Sequence, residues 1–272
     1  MSVDDVGTDH SRVTPPDDDD TRESLLEYHR HLFAYEEAAR RLVASSRVLE
    51  VGCGGGYGAQ LMASRGFRVT AVDPSMQAVR YSATRYPTVR FAAASGTTLP
   101  FAEGAFDAVV SMQVIEHIDD ARAYLRELRR IVRPGGQIVL TTPNRALRLF
   151  PLQRPWNPYH VREYSRRSLS AELSTVFADA QILGVYASPD LMRIERARVH
   201  QLRVNSALAS LTSLAPLRAL VRLARGRARP RDVSPEPVTA PVDSRAIDQH
   251  DFRVAAESSG CLDLFVVATR DR

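Results

Sequence analysis

The sequence contains no lysine, so all 36 of the residues counted as Lys plus Arg are arginine. This absence excludes chemistry that needs a lysine amine, such as Schiff-base formation, the phosphate-loop lysine and the kinase strand lysine. Cysteine is scarce too, with only Cys53 and Cys261 among 272 residues. Two cysteines cannot form a disulfide framework, and their spacing suits no metal knuckle. We therefore predict that both are reduced thiols.

Long apolar runs are also missing. A membrane-spanning helix needs about 20 predominantly apolar residues, whereas the apolar runs here are short fragments such as residues 265–268. The first residues are acidic, with four consecutive aspartates at 17–20. They lack the basic and then apolar pattern of a secretory signal. We expect a cytoplasmic protein without a transmembrane anchor.

Charge is distributed unevenly, although the net charge is only +4. Residues 1–20 are acidic and poor in large apolar groups, which predicts a disordered tail. Residues 190–231 hold ten arginines and two acidic residues, so we predict a basic helical insertion and loose linker over 189–248, acting as a lid. Such a helix could instead contact an anionic acceptor or lipid surface, which leaves peripheral membrane contact open. Nucleic-acid binding is not predicted, because residues 189–231 contain no aromatic side chain for base stacking.

The segment between the tail and the insertion, residues 21–188, alternates predicted helices and strands. A helix is expected from residue 21, and a strand at 261–269 is expected to complete the core formed by 21–188 and 249–272. This alternation predicts an α/β fold with a doubly wound, mostly parallel seven-stranded sheet and a helical insertion before the last strand. The predicted elements in between are strands at 48–51, 68–72, 89–93, 106–112, 137–142 and 182–187, and helices at 57–64, 76–85, 119–132 and 168–177.

A glycine-rich loop follows the first predicted strand, at residues 52–58. Glycines in this place let the backbone approach a ligand and lead to a helix N-terminus, whose free N–H groups favour an anionic group. Asp73, just beyond the second strand, stands where a carboxylate accepts hydrogen bonds from ribose hydroxyls, although it could equally cap the helix that follows. The loop also fits a loose dinucleotide fingerprint. A pyrophosphate would meet Glu50 and no basic residue in the loop, which disfavours that alternative.

Five segments in this order resemble the class I S-adenosylmethionine-dependent methyltransferases, specifically the Methyltransf_11-like group. They are E-V-G-C-G-G-G at 50–56, V-D-P-S at 72–75, L-P-F-A-E-G-A-F-D at 99–107, V-I-E-H-I at 114–118 and L-R-R-I-V-R-P-G-G at 128–136. The resemblance implies a Rossmann-like methyltransferase fold. It also implies S-adenosylmethionine as the cofactor and S-adenosylhomocysteine as the product.

The same resemblance implies where the cofactor is bound. The glycine loop is expected around its methionine part, Asp73 at the ribose hydroxyls and Met76 at the adenine. The family usually has an acidic residue at the end of the third strand, where this chain has Ser95, so adenine contacts are expected from the backbone of residues 95–97. The complete predicted set is Glu50, Gly52, Cys53, Gly54, Gly56, Asp73, Pro74, Met76, Ser95, Gly96 and Gln113.

Three residues are candidates for catalysis. Methyl transfer from a sulfonium is an in-line displacement, so the enzyme mainly orients the two reactants and excludes water. An oxygen acceptor also needs a base. His117 follows the fourth strand, next to the cofactor in the resembled family, where it could act in catalysis or simply orient the loop. His160 and Tyr164 follow the fifth strand, where the ligand crevice of a parallel sheet opens, and our hypothesis is that His160, which titrates near neutrality, is the general base.

No metal is predicted. In ubiquinone-type O-methyltransferases, a similar stretch with acidic residues before the E-H pair is associated with a divalent metal, but Gln113 stands where the extra carboxylate would be needed.

The function that we predict from the resemblance is O-methylation of a small-molecule, sugar or lipid-linked acceptor by direct methyl transfer. The alternatives are a non-catalytic cofactor-binding regulatory member of the fold and an NAD-dependent Rossmann enzyme. The oligomeric state is not indicated.

Overall fold

The computed structural model describes residues 21–212 and 247–271, with only the backbone described for 208–212. The predicted acidic tail and most of the predicted linker lie outside these residues. The described helices are α1 Arg22–Arg41, α2 Tyr57–Ser64, α3 Met76–Arg85, α4 Ala121–Ile131, α5 Arg145–Arg148, α6 Arg166–Leu173 and α7 Pro189–Thr212. The strands are β1 Arg47–Val51, β2 Arg68–Asp73, β3 Arg90–Ala93, β4 Phe106–Met112, β5 Val132–Pro143, β6 Asp179–Ala187, β7 Phe252–Ala255 and β8 Asp263–Thr269.

The strands form one sheet in the order β3-β2-β1-β4-β5-β8-β6-β7. Strands β1 to β5 pair parallel with one another, whereas β8 inserts antiparallel between β5 and β6. The predicted doubly wound α/β sheet is therefore confirmed, but its count of seven strands is wrong. The strand that was not predicted is β7, which pairs antiparallel with β6 at the sheet edge. Its four residues are too few for hydrophobic alternation to reveal a strand in the sequence.

The core lies on both faces of the central strands. In β4 and β8, Val109, Val110 and Phe265 have no exposed surface, which explains why these strands read as continuous apolar segments. Cys53 and Cys261 are both buried and unbridged, as predicted. None of the helices within 21–212 and 247–271 combines the length and the hydropathy that crossing a membrane requires.

Helix α7 forms the first part of the predicted basic insertion, and it is packed into the fold. The Arg203 guanidinium lies 4.0 Å from the centre of the Phe150 ring and donates to the Leu147 carbonyl oxygen at 3.0 Å. Gln153 in turn donates to the Arg203 carbonyl oxygen at 3.1 Å. The helix therefore supports the segment that follows β5. Because residues 213–246 lie outside the described part of the chain, a lid role or lipid contact for the insertion stays a prediction.

Candidate active site

A cavity of about 470 Å³ opens at the carboxyl ends of the parallel strands. Its walls come from the loops after β1 to β5, from one side of α1 and from residues 157–160. In an open α/β sheet this is the edge at which ligands bind, because the loops on either side of the strand-order reversal leave a crevice there. Here the reversal falls between β1 and β4, which lie side by side at the middle of the sheet.

The glycine loop after β1 is close-packed on one side and open on the other. Gly52 has φ +82°, and a Cβ atom there would lie 2.4 Å from Val114 Cγ2. Gly54 has φ +49°, and a Cβ atom there would meet nothing within 4 Å. Both positions therefore need a backbone conformation that glycine adopts without strain. Gly54 borders open space in the cavity wall, as a loop that cradles a ligand would.

Asp73 ties the second strand to this loop. One carboxylate oxygen accepts from the Gly54 N–H at 3.0 Å, and the other accepts from the Ser75 N–H at 2.9 Å. The helix cap is Ser75, whose hydroxyl accepts from the Ala78 N–H at 3.3 Å. The capping alternative for Asp73 is therefore wrong, and its carboxylate lines the cavity beside the glycine loop.

Two histidines meet at another part of the cavity wall. The rings of His117 and His160 lie 4.8 Å apart, centre to centre, at 88°. His117 Nδ1 lies 3.0 Å from the Tyr159 carbonyl oxygen, and His160 Nδ1 lies 3.2 Å from Glu163 Oε1. The sequence placed these histidines 43 positions apart, and the fold brings them to one site. Tyr164 is buried but does not line the cavity, so the structure does not join it to the pair.

His160 has a carboxylate partner that sequence reasoning missed. Glu163 also accepts from Arg148 Nε at 3.0 Å. Burial alone would raise the pKa of Glu163, but the hydrogen bond to His160 and the charge of Arg148 hold it below its usual value. The Arg148 guanidinium lies 4.5 Å from the centre of the Trp156 ring. An ionised carboxylate therefore orients the His160 ring.

Glu116 was also missed, although it belongs to the V-I-E-H-I motif. Its side chain is fully buried, and Oε2 accepts from the Thr142 hydroxyl at 3.0 Å. Its carbonyl oxygen accepts from the N–H groups of Val161 and Arg162 at 2.9 and 3.2 Å. Burial raises the pKa of its carboxyl to about 8. The residue thus anchors the loop that carries His160 to the loop after β4.

The comparisons with known proteins agree with this geometry. Residues 49–140 match the family model Methyltransf_11, described as a methyltransferase domain. This segment is therefore similar to a methyltransferase domain, which we call the matched domain. A probable S-adenosylmethionine-dependent methyltransferase of Mycobacterium tuberculosis strain H37Rv is 38% identical over 165 residues, which cover 60% of each chain. A ubiquinone biosynthesis O-methyltransferase of Caulobacter strain K31 is 37% identical over 122 residues, 43% of this chain and 48% of the relative.

The fold of the chain also has structural neighbours. A Thermotoga maritima protein, described as an S-adenosylmethionine-dependent methyltransferase and possible histamine N-methyltransferase, superposes with a TM-score of 0.55 at 16% identity, covering 89% of this chain and 91% of that one. At this identity the likeness shows the fold alone. The chain spans 60% of the length of the Mycobacterium relative that it matches. The domain and its relatives imply S-adenosylmethionine as the cofactor, as predicted.

The matched domain has residues that fit this cofactor. Eight of the eleven predicted cofactor residues line the cavity, namely Gly52, Cys53, Gly54, Asp73, Pro74, Ser95, Gly96 and Gln113. Glu50 lies behind the wall, where its buried carboxylate accepts from the Tyr35 hydroxyl. Gly56 caps α2 with φ +76°, and Met76 is half-exposed outside the cavity. These three predicted residues therefore do not line the cavity, although Glu50 and Gly56 are adjacent in sequence to residues that do.

Helix α1 contributes a wall that the sequence did not reveal as functional. Glu27, His31 and Tyr35 recur every four residues on one side of this helix and line the cavity together with Arg30. Arg30 is buried and lies 3.0 Å from Asp263 through Nε, with Glu27 and Glu195 at 3.8 and 3.9 Å. The signal in the sequence was a set of polar residues among the apolar positions of the helix. Their partners lie too far along the chain to be inferred.

Three residues of the site lie close enough together to be potential ligands of one metal ion. One potential ligand atom from each of Glu116, His117 and His160 lies within 4.8 Å of the other two. The side chain of Gln113, where the sequence lacks a carboxylate, donates to the Thr141 hydroxyl at 3.2 Å. The arrangement therefore offers one carboxylate and two histidines, and the absence of a metal stays a prediction.

Proposed function

We propose that the protein is an S-adenosylmethionine-dependent methyltransferase that methylates a hydroxyl oxygen of a small-molecule, sugar or lipid-linked acceptor. The observation that carries the proposal is one cavity in which the glycine loop and Asp73 face the pair His117 and His160. A cofactor side and a proton-accepting side within the same space are what direct methyl transfer to oxygen requires.

The cofactor would be held by the loops after β1, β2 and β3. Gly52 and Gly54 would allow the methionine part to approach the backbone, Asp73 would accept from the ribose hydroxyls, and Ser95 and Gly96 would border the adenine. When bound, the cofactor supplies a methyl group activated by a sulfonium. The protein then has to position the acceptor and keep water out.

His160 removes the acceptor proton in this proposal. Its Nδ1–H donates to Glu163, which leaves Nε2 as the atom that can take a proton. Nε2 would accept the proton of the acceptor hydroxyl, so that the oxygen could take up the activated methyl group that the bound cofactor would supply. The negative charge of Glu163 stabilises the imidazolium that forms. A base placed in this way contributes roughly 10² to 10⁴-fold to the rate.

Loop anchoring supports water exclusion. The hydrogen bonds from Val161 and Arg162 to the Glu116 carbonyl oxygen hold residues 157–164 over the cavity. Arg148 connects the same loop to Trp156 through the ring and to Glu163 through an ion pair. The acceptor therefore enters a site whose walls are already fixed on the His160 side.

Cofactor binding is tested first, by calorimetric titration of the full chain with S-adenosylmethionine and, separately, with NAD. We expect micromolar binding of S-adenosylmethionine that weakens at least about tenfold in Asp73→Ala, because the lost carboxylate can no longer accept from the ribose. Asp190→Ala, which removes an exposed carboxylate on α7, is the matched control and should bind as the wild type does. Preference for NAD would contradict the proposal.

Transfer is tested by release of S-adenosylhomocysteine with a panel of hydroxylated small molecules, oligosaccharides and lipid-linked sugars. On an acceptor found in this way, His160→Ala should lower turnover about 10² to 10⁴-fold with unchanged cofactor affinity. His200→Ala, on the exposed side of α7, should keep full turnover. Unchanged turnover in His160→Ala removes the base, and cofactor binding without transfer to any acceptor favours the regulatory alternative.

A further inference from the structure

His31 on α1 has a partner for one ring nitrogen and none for the other. Nδ1 lies 2.9 Å from the Tyr57 hydroxyl. Nε2 is buried and makes no hydrogen bond to any residue that the structure describes. The side chain is 8% exposed and lines the cavity. A buried polar nitrogen without a partner is unfavourable, and this one belongs to a residue that lines a cavity large enough for a ligand.

The contact with Tyr57 decides which nitrogen carries the proton. The hydroxyl of Tyr57 has this one hydrogen bond within the described part of the chain. If it donates to Nδ1, the proton of the neutral ring is on Nε2, and only that N–H lacks a partner. The opposite tautomer would leave both the tyrosine O–H and the Nε2 lone pair unpaired, which is less favourable. Burial lowers the pKa of His31 to about 4, so the ring is a neutral donor near pH 7.

The position of this donor points to one end of the cofactor. Tyr57 is the first residue of α2, directly after the glycine loop. One helical turn beyond His31, the Tyr35 ring covers the backbone of Gly58, where a Cβ atom would lie 2.1 Å from Tyr35 Cζ. The His31 ring therefore stands beside the loop that is expected around the methionine part, which carries a carboxylate and an ammonium.

The donor character of Nε2–H selects the carboxylate as its partner, because a carboxylate accepts hydrogen bonds whereas an ammonium only donates them. Arg30 also lines the cavity, but Asp263, Glu27 and Glu195 surround its guanidinium within 3.9 Å. This arginine is therefore already paired. The N-terminus of α2 has no side-chain cap, so its first N–H groups also favour an anion at this place.

We propose that His31 donates its Nε2–H to the α-carboxylate of the cofactor's methionine, with Tyr57 holding the ring in the donor tautomer. The inference rests on the proposed function, because it concerns the same cofactor. Nothing in the five sequence segments that resemble the methyltransferases includes α1. His31 would therefore be a cofactor-binding residue supplied from outside the matched domain, which spans residues 49–140.

The experiment compares two ligands by calorimetry on the full chain, S-adenosylmethionine and its decarboxylated analogue, which lacks only the carboxylate. A hydrogen bond to a charged group is expected to make the wild type prefer S-adenosylmethionine by about tenfold or more. In His31→Ala this preference should fall to about two- to threefold, with the affinity for the analogue unchanged. His31→Gln keeps an N–H donor and should restore part of the preference.

His29→Ala is the matched control, because it removes a histidine from the same helix that does not line the cavity. It should retain the wild-type preference. Tyr57→Phe should lower the preference, since the ring is no longer held in one tautomer, and with His31→Gln it carries the test if His31→Ala does not fold.

Three results would overturn the inference. Equal weakening of both ligands in His31→Ala would mean that the side chain only shapes the cavity, and an unchanged preference would mean that the carboxylate binds elsewhere. A loss confined to the KM of an anionic acceptor would place the anion on the acceptor. In each of these cases the wild type still binds S-adenosylmethionine. If the wild type does not bind S-adenosylmethionine, both the proposed function and this inference are wrong.

Discussion

The buried carboxyl of Glu116 makes the stability of the protein depend on pH. Burial raises its pKa from 4.5 to about 8, so between these values the folded chain holds a proton that the unfolded chain has released. Raising the pH then favours unfolding by up to about 1.4 kcal/mol per pH unit. The Glu116→Gln variant stays neutral and removes this penalty. From pH 5.5 to 7.5 the variant should therefore gain up to roughly 3 kcal/mol over the wild type.

Urea unfolding of the two proteins at pH 5.5, 6.5 and 7.5 measures this gain. At pH 5.5, one unit above the unfolded pKa, the titration should already favour the variant by about 1.4 kcal/mol, and this advantage should grow toward pH 7.5, while the Thr142 hydroxyl can donate to either side chain. The pKa of Glu50 is raised to about 8 in the same way, but that residue is present in both proteins and cancels in the difference. A difference in unfolding free energy that does not change with pH would refute the reasoning.

Two further predictions concern the glycine loop and the histidine pair. Gly52→Ala should destabilise the fold by about 2–4 kcal/mol, measured as a lower melting temperature, because φ is +82° and the new Cβ would lie 2.4 Å from Val114 Cγ2. The control is Gly66→Ala, at φ +88° with no atom within 4 Å of its Cβ, which should lose only the backbone part of this stability. Equal losses in the two variants would show that the contact with Val114 is unimportant. EDTA should leave the rate of S-adenosylhomocysteine formation unchanged, and the dialysed protein should contain no stoichiometric metal. Loss of activity that zinc or manganese restores would instead show that Glu116, His117 and His160 hold a metal.

The elements predicted from the sequence that agree best with the structure are those with a local cause. The strand at 106–112 and the helices at 57–64 and 76–85 have the predicted bounds, because apolar segments and caps such as Ser75 act over a few residues. The helix predicted at 168–177 instead covers Arg166–Leu173. The short strand β7 was missed because its pairing partner, β6, lies far away in the chain.

The residues of the candidate site also differ in whether the sequence could locate them. The glycine loop and Asp73 could be located because close backbone approach needs glycine and because the strand ends fix their spacing. Glu163 as the partner of His160 could not, since adjacency in sequence does not show which side chains face each other across a loop. The wall formed by α1 was missed because two partners of Arg30, Asp263 on β8 and Glu195 on α7, lie far along the chain.

Besides the five segments that carry the resemblance to methyltransferases, the sequence by itself determined two structural properties, the alternation of helices and strands and the glycine loop after β1. These properties follow from backbone conformation and hydrophobic period, which act locally along the chain. Only the tertiary structure decided that His117 meets His160, that Arg30 faces Asp263 and that His31 adjoins the glycine loop through Tyr57. Those contacts join residues 26 to 233 positions apart, and such pairs are chosen by the packing of helices on the sheet.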